Sequence, residues 1–497
     1  MTELTGVAPA EQSSGSLFFR IFPSLMLPMF LGVVDQTIIA TALPAIAGSL
    51  GDVERISWVV VSYLITNTIA APVYGRLGDV LGRKRMMLVA LVVMIGASLF
   101  CAAATSILML TFARVLQGLG GGGLMTMSQS LVGEAVPPRE RARYQGYLAA
   151  VVVCSNSFGP IAGGYLTEAF GWRSIFLINV PLGLAAMAMV LRLPSRPASG
   201  EAARFDFTGL AYFIFFVVPS LLALEQLHRF NLATLPYLAG FALVSVASLI
   251  LLLRNEARTE HPLLPIKLLR QPIIWRSDAL AAFHGAALVS LITFVPVYLR
   301  VVRGTSASDT GYLLLPIAVG IFIGSLCTGR LVSKTGYTTI FPSIALIPVA
   351  LLMAFLALRL DQLSLPQLAI VFGLEALFMG SVMGVVQVVV QNAAGPSMLG
   401  AAAGSVQFAR AIGAAFGTAL VATLLFSALA STDPQAAGYF GELIEHGPAA
   451  LDGLGNTARQ SVQASLAGAF RLTFMLIAAY VTLAAALAWS IPVKRLS

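Results

Sequence analysis

The chain has 497 residues, of which 58% are hydrophobic and 10% charged, with a formal net charge of +8. A soluble globular protein carries about 25% charged residues, so this balance, with a mean hydropathy of +0.87, excludes a soluble enzyme, a disordered chain and a nucleic-acid-binding module. Because ~20 apolar residues in a helix cross the ~30 Å hydrocarbon core of a bilayer, the length leaves room for more than a dozen crossings.

Cys101, Cys154 and Cys327 fall inside apolar runs and share no metal-ligand spacing. Disulfide scaffolds and metal sites are therefore set aside, and the three are read as small packing residues. The N-terminus through about Ser16 is polar and lacks the pattern of a cleavable signal, so the first crossing is expected to stay in the mature protein.

In chain order, a window of roughly 19 residues predicts apolar spans at 20–48, 56–75, 86–104, 107–129, 146–167 and 175–193. Two more follow at 208–227 and 234–253, then six at 276–299, 311–332, 339–358, 366–391, 404–428 and 469–491. An even count of fourteen puts both termini on one side. Of the basic residues, 21 fall on one set of connections, Arg410 counted among them, and 8 on the other, with Arg114 inside a span. The positive-inside rule then places both termini in the cytoplasm. The one long connection, about 429–468, is glycine-rich and reads as an external loop with a short surface helix near Arg459 to Leu466.

A repeat constrains the architecture further. Gly75-Arg76-Leu77 with Gly82, closing span 2, returns as Gly329-Arg330-Leu331 with Gly336, closing span 10. The eight-span separation predicts two six-helix halves, 1–193 and 273–497, with an inserted helix pair and its linkers at 194–272. Paired repeats around a midplane site are the build of a secondary transporter.

Five stretches carry a family resemblance. Gly75-Arg76-Leu77-Gly78-Asp79 through Gly82-Arg83-Lys84-Arg85 resembles the cytoplasmic-loop signature of the major facilitator superfamily, and Arg114 with Gln117-Gly118 resembles its membrane-embedded arginine motif. Gly159-Pro160-Ile161-Ala162-Gly163-Gly164 resembles the motif of its proton-coupled exporters. Asp35-Gln36-Thr37 before Ala42-Leu43-Pro44, and Trp172-Arg173 with Asn179-Val180-Pro181-Leu182-Gly183, are similar to the fourteen-helix drug:proton antiporter branch. Two departures are small: Ser155 stands where the exporter motif usually begins with glycine, and Ser333 where the first-half loop has Asp79.

The resemblance implies an all-α polytopic membrane protein with two pseudo-symmetric halves plus two inserted helices. It implies export of small hydrophobic, drug-like compounds, cations among them, across the plasma (inner) membrane, driven by inward proton flow, with no cofactor, nucleotide or nucleic acid and a functional monomer. Gly75, Asp79, Gly82, Arg83 and Glu134 would then control the conformational equilibrium, and Gly159, Pro160, Gly163 and Gly164 would permit close packing and a helix bend.

Read from the residues alone, Asp35 and Arg114 are two charges at compatible depth, and a charge in the hydrocarbon zone is costly unless paired or facing water. They form either a structural ion pair or a proton carrier, since burial and the Arg114 charge act in opposite senses on Asp35 protonation. Glu375 is a second deep acid outside the motifs and, with Gln117 and Asn156, a candidate for the substrate cavity; His284 is either an interhelix packing residue or a third coupling candidate. Asp278, near a helix end, reads as interfacial. An exporter or flippase of an endogenous amphiphile is the rival on the same fold. A nucleotide-driven pump and an intramembrane hydrolase are disfavoured, because no Gly-x-x-x-x-Gly-Lys-Ser/Thr, His-Glu-x-x-His or Gly-x-Ser-x-Gly occurs.

Overall fold

The computed structural model describes residues 14–51, 55–194, 205–227, 234–260, 262–360, 362–446, 450–451, 455–492 and 495. The first half comprises α1 (Ser14–Ile38), a 3-10 turn at Ile39–Thr41, α2 (Leu43–Leu50), α3 (Ile56–Leu81), α4 (Arg83–Ala102), α5 (Ile107–Ala135), α6 (Pro138–Phe170), α7 (Ser174–Leu177) and α8 (Asn179–Leu191). The inserted pair is α9 (Phe207–Leu227) and α10 (Leu235–Arg258), followed by α11 (Ile266–Leu269). The second half holds α12 (Pro272–Val301), α13 (Ala307–Thr335), α14 (Ile340–Arg359), α15 (Leu365–Met379), α16 (Val382–Ala394), α17 (Leu399–Thr432), α18 (Pro434–His446) and α19 (Asn456–Ser490). Among the described residues, 14 helical stretches are long and apolar enough to span a bilayer.

Local chemistry sets the helix ends. Ser106 and Ser306 cap α5 and α13 by accepting from the amides of Met109 and Asp309, supplying partners for donors that the first turn leaves free. Gly82 separates α3 from α4 at φ 97°, a conformation that an L side chain rarely adopts. Three crossings are interrupted. The first turns through the 3-10 segment into α2, with Pro44 in its first turn; α7 gives way to α8 at Ile178; and α15 breaks from α16 at Gly380 and Ser381.

In a bilayer, helix packing relies on close approach more than on apolar burial, so small residues mark the contacts. Added Cβ atoms show how close the approach is. On α5, one at Gly122 would lie 2.8 Å from the Ala70 side chain of α3, and one at Gly120 would lie 2.9 Å from the Met94 amide nitrogen of α4. Such contacts close each half around its own apolar core. The inserted pair packs on the outside of the seam between the halves: Phe213 of α9 meets Phe408 of α17 at 5.1 Å between centroids, and Val217 shares a cluster with Ile65 and Ile69 of α3.

The halves meet at the end of the bundle that carries Asp79. Gln391 of α16 donates to the Gln129 carbonyl of α5 at 3.1 Å. A Cβ on Gly146 of α6 would lie 3.1 Å from the Ser325 carbonyl of α13, and one on Gly404 of α17 would lie 2.9 Å from Pro72 of α3. The molecule is closed at this end.

Two sequence expectations are corrected. The long connection at 429–468 is mostly helical in its described parts: α17 runs to Thr432, α18 follows, and α19 already begins at Asn456, so Arg459 to Leu466 is the first part of the last crossing rather than a separate surface helix. The cause is local. Asp433 accepts from the amides of Gln435 and Ala436 to start α18, and Ala436, Phe440 and Leu443, spaced for one helical face, enter the second-half core. Arg410, counted with the connections, is the twelfth residue of α17, roughly 16 Å from the start of that helix at ~1.5 Å per residue.

Candidate functional site

Asp35 sits on α1 with a fully buried side chain, and Arg114 of α5 is 1% exposed. Arg114 Nη1 donates to Asp35 Oδ2 at 2.8 Å, while Gln117 Nε2 and Asn179 Nδ2 both donate to Asp35 Oδ1, at 2.7 and 2.6 Å. Gln117 lies one turn after Arg114 on α5, and its Oε1 accepts a second Arg114 Nη1 contact at 2.8 Å. Ser98 of α4 accepts from both amides, and Arg114 Nε donates to the Val59 carbonyl of α3. The guanidinium also lies 4.1 Å over the Tyr63 ring, a cation–π contact. Five helices thus hold one neutral pair, and removing either partner would leave a buried charge at a cost of about 3–5 kcal/mol.

The donor set matters chemically. Among the described residues, each neighbour within hydrogen-bond distance of the Asp35 carboxylate donates a hydrogen bond to it and none accepts one. This cage suits the carboxylate form; a carboxylic acid would bring an O–H to a site filled with donors.

Gly159 of α6 packs on the same helix, with an added Cβ falling 3.2 Å from the Ile38 amide nitrogen of α1 and against Thr37, two residues beyond Asp35. Gly163 meets Ile38 and Thr41 one turn on. Gly164 has open space where a Cβ would stand, and α6 continues as one helix across Pro160. Gly159 and Gly163 therefore account for the close packing.

A second constellation lies at the closed end. Asp79 Oδ1 accepts from the Gly400 amide at 2.8 Å and Oδ2 from the Ala401 amide at 2.7 Å, so a carboxylate of the first half meets the N-terminus of α17 in the second, where a helix favours negative charge. Arg83 joins Asp79 and Glu134 by contacts of 2.7 Å each and donates to the Pro396 carbonyl at 3.1 Å. Gly75 packs against Gly400, which leaves no room for a side chain on either.

The remaining candidates are placed apart. Glu375 of α15 is fully buried, and both carboxylate oxygens lack a hydrogen-bond partner among the described residues; it faces the second-half core rather than an open wall. His284 Nε2 lies 3.0 Å from the Met379 carbonyl, at the break between α15 and α16. Gln117, expected at the substrate cavity, is instead absorbed in the Asp35 network because its amide supplies both the donor and the acceptor needed there. Asn156 is exposed on α6. Sequence reasoning missed Ser98 and Tyr63 as partners of the pair, and quoted Asn179 without assigning it a role. Ser98 and Tyr63 carry no local signal, since only the packing of α4 and α3 brings them to Asp35 and Arg114.

The profile of the Major Facilitator Superfamily matches residues 25–418. The chain belongs to this superfamily. Over 418 residues it is 34% identical to an uncharacterized MFS-type transporter of Mycobacterium tuberculosis (strain ATCC 25618 / H37Rv), a match covering 82% of this chain and 60% of that protein, less than two thirds of its length. It is 30% identical over 411 residues to the multidrug transporter protein MdtP of Bacillus subtilis (strain 168), covering 82% of this chain and 75% of that one. The fold is similar to the proton:xylose symporter XylE, with a TM-score of 0.64 at 14% identity over 96% of this chain and 97% of that one. It is also similar to the human organic anion transporter MFSD10, with a TM-score of 0.61 at 16% identity over 92% and 99%. The chain is thus an integral multi-pass membrane protein of this superfamily, and its relatives include proteins named as a multidrug transporter and as efflux pumps.

Proposed function

We propose that the protein exports small hydrophobic, drug-like molecules in exchange for protons, by alternating access across the plasma (inner) membrane. The termini and the Asp79 end would face the cytoplasm, in accord with the basic residues concentrated on that side, and the molecule described here would then be the cytoplasm-closed, outward-facing form. Small molecules, protons and the bilayer are its partners, and a monomer suffices.

The observation that carries the coupling is the donor-filled cage around Asp35. A proton arriving there has to displace Gln117, Asn179 or Arg114, so protonation and rearrangement of the network become one event. Asn179 opens α8, and the residues next to Asp35 on α1 touch Gly159 of the exporter motif on α6, so loosening the cage loosens three helices together. Asp79 at the α17 N-terminus, with Arg83 and Glu134, holds the opposite state until that happens. Glu375, closed within the second half, lends no support to a cationic substrate in this conformation.

The test is transport in proteoliposomes with an imposed pH gradient. The wild type should concentrate an uncharged hydrophobic dye only while the gradient lasts, and Asp35→Asn should fall to the level of protein-free vesicles while remaining folded. Continued gradient-driven accumulation by Asp35→Asn would remove Asp35 as the carrier and bring His284 forward.

A further inference from the structure

We infer that Arg410 and Gln407 of α17 form a recognition site for the acidic group of an amphiphilic anion, a carboxylate or sulfonate on a hydrophobic body. The inference deepens the exporter reading by naming a substrate class, and rests on it for transport though not for binding.

The faces of α17 assign the direction. Successive residues turn by about 100° around a helix. Gly404 packs on Pro72 of α3, Gly413 and Gly417 pack on Ala282 and Ala286 of α12, and Phe416 and Leu420 stand exposed on the outside, at 37% and 48%. The sector left over, between the α3 and α12 contacts, carries Gln407 and Arg410 and turns toward the seam between the halves. Arg410 is part-exposed there, the twelfth of the 34 residues of α17, whereas Asp35, Arg114, His284 and Glu375 are all at most 2% exposed.

The site is built rather than incidental. Arg410 Nε donates to Gln407 Oε1 at 2.9 Å, which fixes the amide with its nitrogen free. Gln407 is 5% exposed, and its Nε2 finds no acceptor among the described residues. Gly285 of α12 lets the arginine lie flat, since a Cβ there would come within 3.1 Å of Arg410 Cγ. Among the described residues no carboxylate lies within ion-pair distance of Arg410; Asp278, on α12, is engaged instead with Ser405 at 3.4 Å.

The two Nη groups of Arg410 and the Gln407 amide nitrogen make a set of donors with no acceptor among the described residues, in a setting where a charge without a partner is costly. A carboxylate or sulfonate supplies both the charge and the acceptor oxygens. A cation gains nothing from this group and is repelled by it.

A matched pair of probes isolates the charge: dansylaminoundecanoic acid and its methyl ester, bound to the purified protein and followed by dansyl fluorescence. The acid should bind at least about tenfold more tightly than the ester, the size of one charge-assisted hydrogen bond. Arg410→Gln should erase that preference by weakening the acid alone, Arg410→Lys should keep part of it, and Gln407→Leu should reduce it. Equal binding of acid and ester by the wild type overturns the inference whether or not the variants fold. So does an equal loss of both probes in a folded Arg410→Gln protein. The same pair in gradient-loaded proteoliposomes separates the two readings: selective binding without gradient-driven transport sinks the exporter and leaves the site, while transport of the ester without preference for the acid does the reverse.

Discussion

Asn179 Nδ2 lies 2.6 Å from Asp35 Oδ1, joining the first residue of α8 to the single acid of α1. The bond ties an interrupted crossing to the ion pair, so a change at the carboxylate is felt at the α7–α8 junction. Asn179→Ala takes one donor from the carboxylate and from Ser98, and the bond to the ionised group contributes about 1.5–3 kcal/mol. Gradient-driven efflux should fall roughly tenfold or more, with little change in substrate affinity. Parallel measurements of transport rate and equilibrium dye binding check this; unchanged rates would make Asn179 a packing residue.

Arg114→Lys should behave nearly as badly as Arg114→Ala. The guanidinium reaches Asp35 and Gln117 from Nη1 and the Val59 carbonyl from Nε while lying over Tyr63, and a lysine point charge cannot make that fork. Efflux by the two variants, compared at matched expression, tests the claim. Restored activity in the lysine form alone would reduce the role of Arg114 to charge.

Asp79→Asn should shift the molecule away from the form described here. The carboxylate holds two amides at the start of α17, and loss of such a charged cap weakens the closed end by about 1–2 kcal/mol, roughly a tenfold change in the equilibrium. Spin-label distances across the Asp79 end should lengthen in a larger fraction of molecules. An unaltered distribution would show that Gly75, Gly404 and the α6–α13 contact close this end without it.

Glu375→Gln should leave the protein as stable as the wild type or more so, because a buried carboxylate without partners is costly and an amide carries no charge. Thermal unfolding in detergent reads this directly. Transport of ethidium and of an uncharged dye by the same variant should change together; a selective loss of ethidium would mean that another conformation brings Glu375 to a cationic substrate.

Ser461, exposed near the start of α19, should be reached from outside as a cysteine by an impermeant thiol reagent in intact cells. A cysteine at Ser13, which lies outside the described residues, should be labelled only after permeabilisation. The reverse pattern would invert the topology.

The crossings, the two halves with their inserted pair, and the motif acids were legible in the sequence because a bilayer imposes them locally. Apolar runs of sufficient length have to cross, and a charge such as Asp35 or Arg114 inside one has to find a partner. Gly75, Asp79 and Arg83 likewise stand four residues apart, from the last two turns of α3 to the first residue of α4. Tertiary structure alone decided which partner each charge takes. Asn179 stands 144 residues from Asp35, and Gly400 stands 321 from Asp79, with no periodicity linking either pair. It also decided that α18 is helical, that Gln117 belongs to the ion-pair network, that Glu375 faces a closed core and that Arg410 turns toward the seam. In a membrane bundle, core-facing, lipid-facing and cavity-facing positions share one apolar composition. What separates them is which helix lies alongside, and that follows from close approaches at glycines, such as Gly404 between the halves and Gly413 and Gly285 within the second, that exist only once the helices are packed.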